Sequence, residues 1–182
     1  MTIEQTERET VRDAGRAAAR VSKALELAVG ERNLSLPQYR LLAFLSGGPE
    51  RATELASWLE VSPPSLTALV DGLVQKGLVE RVTSTEDRRC VRHVMTPAGA
   101  ASLEAGDGAI AERLSRLLEF LSPGEADQAI TGLGLLGQAM ERSLDAQRDE
   151  TQQIDKETKN AKEASRAAAK AGAKGVKEVT PR

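Results

Sequence analysis

At 182 residues, with 40% hydrophobic and 29% charged, the chain can hold one cored domain plus an appendage. It has no apolar run of the roughly 18 residues a membrane helix needs, and its single cysteine, Cys90, excludes an internal disulfide and suits a reducing cytosol. The formal charge of −2 is uneven: residues 1–154 count 17 Lys+Arg against 23 Asp+Glu, net −6, and residues 155–182 count 8 against 4, net +4.

Aromatic residues make up only 2%, which favours packed helices over a sheet. The amino-terminal run MTIEQTERETVRD is polar and of mixed charge, unlike a signal peptide, so a cytoplasmic protein is expected. From about Thr6 to Val29, Val11, Ala14, Ala18, Val21, Leu25 and Ala28 recur by threes and fours and predict a first helix with a coiled-coil type seam. That seam either packs within its own subunit or lies in part at a dimer interface.

Ser35-Leu-Pro-Gln38 is a capping box and opens a second helix to about Leu45, which Gly47-Gly48-Pro49 ends. A third helix is predicted from about Thr53 to Leu59, with Leu55, Ala56 and Leu59 inward. Trp58 falls off that face, where it either packs on a neighbour or lines a pocket.

The next helix, Ser62 to Lys76, has both ends marked. Ser62 can cap it, Pro63 suits its first position, and Gly77 stops it, with Lys76 in the last turn where a cation suits the helix dipole. Leu66, Leu69, Val70 and Leu73 share one face, so Pro64, Ser65, Thr67 and Ala68 occupy the outward side near its start. Two extended runs follow, Leu78–Thr83 and Val91–Met95, around the charged turn STEDRR. A helix followed at once by a hairpin with a basic tip is the pattern of a winged helix. Such a unit can put its helix in a major groove and its arginines against the adjoining minor groove. Arg88, Arg89 and Arg92 are the wing cations, Lys76 is the one basic residue of the helix, and Arg51 and Arg81 are expected at phosphates.

Cys90 lies beside Arg89 and near Arg92; positive neighbours can lower a thiol's pKa, so it is either a redox-sensing thiol or simply a small hairpin residue. The lone His93 has no second histidine and no metal spacing nearby, so it is expected to pack or to line a strand rather than bind metal.

Thr96-Pro97 opens a further helix carrying Leu103, Ile110, Leu114, Leu117, Leu118 and Leu121, and Ser122-Pro-Gly-Glu125 is a second capping box. The last helix carries Ile130, Leu133, Leu136, Met140 and Leu144; its Gly132, Gly134 and Gly137 would permit a close helix approach or a kink. From about Gln147 the sequence becomes Lys/Ala-rich with no large apolar face, expected to be disordered alone. This tail is either a solubilising extension or a phosphate-binding arm acting through counterion release.

Three stretches carry a family resemblance: D-R-R-x-x-x-x-x-M-T-P-A-G (Asp87 to Gly99), ELASWLEVSPPSLTALVDGLVQKGLVER (Glu54 to Arg81) and LSLPQYRLLAFL (Leu34 to Leu45). Together they resemble the wing, the helix-turn-helix and the second helix of the MarR family of bacterial transcription regulators, over roughly the first 150 residues. The resemblance implies a mainly α fold with a small β-hairpin wing. Its expected parts are an N-terminal dimerisation helix (1–33), a winged helix-turn-helix domain (34–96), C-terminal dimerisation helices (97–147) and the basic tail (148–182). It also implies that Arg89 enters the minor groove and that Asp87 orients the wing. The chain departs from the family where arginine is frequent: Ala68 and Gly72 stand there instead, and Asp71 is acidic.

By that resemblance the protein is a homodimeric, sequence-specific DNA-binding regulator reading a pseudo-palindrome, a repressor relieved by a small aromatic or phenolic effector or by an oxidant, with Arg16, Tyr39 and Trp58 as pocket candidates. The competing reading is an architectural, nucleoid-associated binder dominated by its tail. No nucleophile–base pair, phosphate loop or metal constellation suggests an enzyme, and no cofactor is expected.

Overall fold

In a computed structural model, residues 3–48, 50–83 and 91–146 are described. The chain divides into two compact units, Met1–Asp127 and Gln128–Arg182.

The first unit begins with α1 (Ile3–Gly30), longer at its start than the apolar seam predicts. The seam is divided. Ala28 and Val29 are buried and Val21 and Leu25 half-buried, whereas Val11, Ala14 and Ala18 are exposed, Val11 to 71%. Then come α2 (Leu36–Leu45), the two-residue strand β1 (Glu50–Arg51), α3 (Ala52–Leu59) and α4 (Pro63–Gln75). The strands β2 (Val79–Thr83) and β3 (Val91–Met95) precede α5 (Pro97–Leu118). Residues 123–146 are helical and form α6, most of which belongs to the second unit.

Starts and stops follow from end-group chemistry. The Ser35 capping box closes in both directions: Gln38 N–H donates to Ser35 Oγ at 3.3 Å, and Ser35 N–H donates to Gln38 Oε1 at 3.2 Å. The box predicted at Ser122 forms from the glutamate side. Both its N–H and its hydroxyl donate to Glu125 Oε2, at 2.9 and 2.6 Å, which holds the Glu125 carboxyl below its ordinary pKa. Three helices end in one device. Asn33, Glu60 and Gly77 take the left-handed conformation at φ +59°, +54° and +70°. The N–H groups of Leu34, Val61 and Leu78 then reach back to Val29, Ala56 and Leu73 at 3.2, 3.1 and 2.9 Å. An apolar residue after each left-handed position completes a Schellman stop.

Those three apolar residues feed one core. Leu41, Leu42, Leu55, Leu73, Val29, Val70 and Val79 are fully buried, so α1 to α4 and β2 share one interior. Burying each such side chain contributes about 1.5–3 kcal/mol. The sheet order is β1-β3-β2, all antiparallel, with Glu50 opposite His93 and Val79 opposite Met95. The hairpin was readable from its two extended runs; β1 was not, because two residues are too few to show an alternation.

The buried positions of α5 are small ones, Gly99, Gly106 and Ala109, not its leucines. A Cβ on Gly106 would lie 2.9 Å from Tyr39 Cδ2, so α5 and the α2 ring meet there at van der Waals contact. Leu117, Phe120 and Leu121 at its far end remain exposed, Phe120 to 87%. On α6, Ile130, Leu133, Leu136 and Met140 are between 49% and 62% exposed, and a Cβ at Gly132, Gly134 or Gly137 would meet nothing within 4 Å.

Candidate nucleic-acid interface

The candidate recognition helix α4 is seated by Leu66, Val70 and Leu73, which are 3%, 1% and 0% exposed. That anchoring fixes its rotation and leaves Pro64, Ser65, Thr67 and Ala68 exposed at its start. The two hydroxyls already have local partners. Ser65 Oγ lies 2.8 Å from the capping Ser62 Oγ, and Thr67 Oγ1 donates back to the Pro63 carbonyl at 3.0 Å. Each oxygen keeps lone pairs that can still accept from a base edge.

The one charged residue of α4 is Asp71, and it is ion-paired with Arg81 of β2. Both side chains stay substantially exposed, so the pair adds little stability. Its effect is on the field: it neutralises a cation beside the helix. Lys76 is likewise engaged within the chain. Its ammonium donates to the Asn33 carbonyl at 2.6 Å and to Gln38 Oε1 at 3.1 Å.

Arg51 and Arg92 stand directly opposite each other in the β1–β3 register. Like charges facing across strands repel, and an anion between them would remove that cost. Sequence reading named both arginines but could not pair them without β1. Arg88, Arg89 and Cys90 lie outside the described residues, as does Asp87.

His93, between Glu50 and Arg81 in the register, is 5% exposed. Its Nδ1 lies 3.3 Å from the Glu50 carbonyl. Burial pushes its pKa below 6.5; the Glu50 carbonyl opposes this and the Arg81 charge adds to it. The folded state therefore binds fewer protons than the unfolded state below that pH. Stability is full above about pH 6.5 and falls as the unfolded imidazole takes up its proton. Thermal denaturation from about pH 7.5 to about pH 5 should show wild-type melting temperature dropping more steeply than that of His93→Gln; equal slopes would count against it.

The three pocket candidates sit on three different helices with three different partners. Arg16 of α1 is exposed and paired with Asp13 at 3.3 Å. Tyr39 of α2 donates to Asp107 of α5 at 2.6 Å. Its pKa is pushed up to about 12, first by burial and then by the hydrogen bond and charge of Asp107. Trp58 of α3 is half-buried and meets Phe44 edge-on, with centroids 4.5 Å apart and planes at 73°. Among the described residues no group of three His, Cys, Asp or Glu could hold a metal ion, and no helix is long and apolar enough to cross a membrane.

Comparison with known proteins bears on this geometry. Residues 34–91 match the model of the MarR family. The chain is 41% identical over 75 residues to the HTH-type transcriptional regulator YpoP of Bacillus subtilis (strain 168), covering 41% of this chain and about half, 53%, of that protein. To the HTH-type transcriptional regulator YfiV of the same organism it is 31% identical over 112 residues, 61% of this chain and 70% of that one. Among solved structures it is similar to the transcriptional repressor CouR bound to a 23-mer DNA duplex, at TM-score 0.61 and 27% identity, over 75% of this chain and 98% of the other. A helix-turn-helix with a three-stranded wing, matched in sequence and in fold, places the chain in the MarR family of winged helix-turn-helix, DNA-binding transcription regulators.

Proposed function

We propose that the protein is a homodimeric repressor that reads a pseudo-palindromic operator and releases it when a small aromatic or phenolic effector, or an oxidant, acts. The observation that supports this most is the seating of α4: three buried side chains hold it while Pro64, Ser65, Thr67 and Ala68 stay exposed for base edges. Arg92 and Arg51, facing each other at the base of the wing, supply a phosphate contact, and Arg88 and Arg89 follow in the wing. Residues 34–96 are the reading lobe, and α1 with residues 97–147 joins the two copies.

Dimerisation is supported by the uncovered apolar residues of α6. Repression is proposed by analogy with CouR, a named repressor in complex with DNA. An effector that prefers the DNA-free arrangement would lower affinity by its differential binding to the two states. Arg16, Tyr39 and Trp58 remain the effector candidates and Cys90 the oxidant's.

The test is selection from fragmented genomic DNA of the parent organism at physiological salt, with the full chain and with Asp155–Arg182 deleted. The expected result is a small set of fragments sharing an inverted repeat, retained without the tail. Broad capture that disappears with the tail would overturn it in favour of the architectural reading.

A further inference from the structure

Lys76 is placed where a basic residue after a recognition helix would be expected to touch phosphate, yet its ammonium, on a side chain that stays exposed, is turned onto acceptors of its own chain. It donates to the main-chain carbonyl of Asn33 at 2.6 Å and to Gln38 Oε1 at 3.1 Å. Both acceptors are themselves fixed. Asn33 is the left-handed residue that ends α1, so its carbonyl lies beyond the helix. Gln38 is locked by the Ser35 capping box, and its Oε1 accepts from Ser35 N–H and from Lys76 together.

One turn earlier in α4, a Cβ on Gly72 would lie 3.2 Å from Gln38 Nε2, so the recognition helix runs close against the start of α2 at this point. One cation thus ties three elements: the end of α1, the start of α2 and the end of α4. α1 is also the helix whose other half carries the exposed Val11, Ala14 and Ala18.

We infer that Lys76 is a positioning residue rather than a DNA contact: it fixes the carboxyl end of the recognition helix to the elbow between α1 and α2, so that the placement of α1 sets the orientation of α4. The inference rests on the DNA-binding reading above. It differs from that reading in its electrostatics. A phosphate contact contributes counterion release on every sequence. A positioning residue raises affinity only where α4 must fit base edges.

The experiment uses the full chain and the Lys76→Met, Gln38→Ala and double variants. Each is titrated against a selected operator and against random duplex over a range of salt. Lys76→Met is expected to weaken operator binding about tenfold. Binding to random duplex and the slope of log affinity on log salt should stay as in the wild type. Gln38→Ala should weaken operator binding in the same direction, and the double variant should bind no worse than Lys76→Met, because both substitutions break one tie.

A salt slope reduced by about one, with equal loss on both duplexes, would show a phosphate contact and overturn the inference. So would unchanged operator affinity. Should Lys76→Met fail to fold, Gln38→Ala carries the test, since it removes an acceptor and leaves the charge. A wild-type chain that bound no duplex would overturn the DNA-binding reading itself; a wild type that bound, with variants that bound equally well, would overturn this inference alone.

Discussion

Gly99→Ala should destabilise the protein by about 3 kcal/mol, the upper end of what overpacking costs. The reason is backbone, not side chain. A Cβ at Gly99 would overlap the carbonyl oxygen of Leu78 and sit 2.8 Å from Met95 Cγ. Leu78 cannot yield freely. Its carbonyl accepts from Thr96 N–H at 3.1 Å, and the Thr96 hydroxyl donates to the Gly77 carbonyl at 2.7 Å. Thr96 Oγ1 also caps α5 by accepting from Gly99 N–H at 3.0 Å. The added methyl therefore has to push the start of α5 off the α4–β2 turn and strain several hydrogen bonds worth about 1 kcal/mol each. The gain in helix propensity from glycine to alanine returns only about 1 kcal/mol. Thermal denaturation should show a fall of roughly 10 °C. Gly106→Ala provides the contrast: there the obstacle is the Tyr39 ring, a side chain that can shift. If Gly99→Ala melted no lower than Gly106→Ala, the close approach at Leu78 would be wrong.

The second large effect concerns assembly. Leu133→Asp combined with Leu136→Asp should convert the proposed dimer to monomer and lower operator affinity by about a hundredfold or more, because two linked half-sites are lost as a unit. These side chains are 49% and 62% exposed, so the fold of one copy loses little when they become charged. In a dimer they would be covered, and a carboxylate there would be buried without a partner. Sedimentation and operator titration read both consequences. A double variant that stayed dimeric and bound as before would remove α6 from the interface.

Much of the DNA-binding lobe was legible because its signals are local. Ser35, Ser62 and Thr96 each accept from the N–H three residues on, and each stood before a proline at the first or second helical position. Gly77 announced the end of α4 because glycine is the usual left-handed residue. Asn33 and Glu60 end their helices by the same device but gave no comparable signal. Asparagine takes that conformation only sometimes, and Glu60 is followed by the half-buried Val61, whose N–H reaches back to Ala56 and whose side chain packs on the core. In α5 the apolar pattern found Leu103 and Ile110, which pack half-buried against the core, but the positions that are fully buried are Gly99, Gly106 and Ala109. Hydrophobic periodicity registers large side chains and is blind to positions chosen for having none.

The candidate interface residues were legible by type but not by pairing. Arg81, Arg92 and Arg51 read as interchangeable cations in the sequence. In the fold, Arg81 is neutralised by Asp71, whereas Arg92 and Arg51 face each other across the sheet. Lys76 read as the one cation the helix could bring to DNA and is tied to Asn33 and Gln38. No spacing rule could find these partners, because each is set by how distant segments meet.

The shared interior has a consequence for anyone building chimaeras. Val29 of α1 is completely buried with the leucines of α2 to α4, and Leu103 and Ile110 of α5 pack against the same cluster. A reading head transplanted between relatives as residues 34–96 would arrive with an open seam, missing wall on two sides. The exchangeable cassette starts at the last turn of α1 and ends past Ile110, so swapping operator specificity means swapping part of the helices that would hold the two copies together.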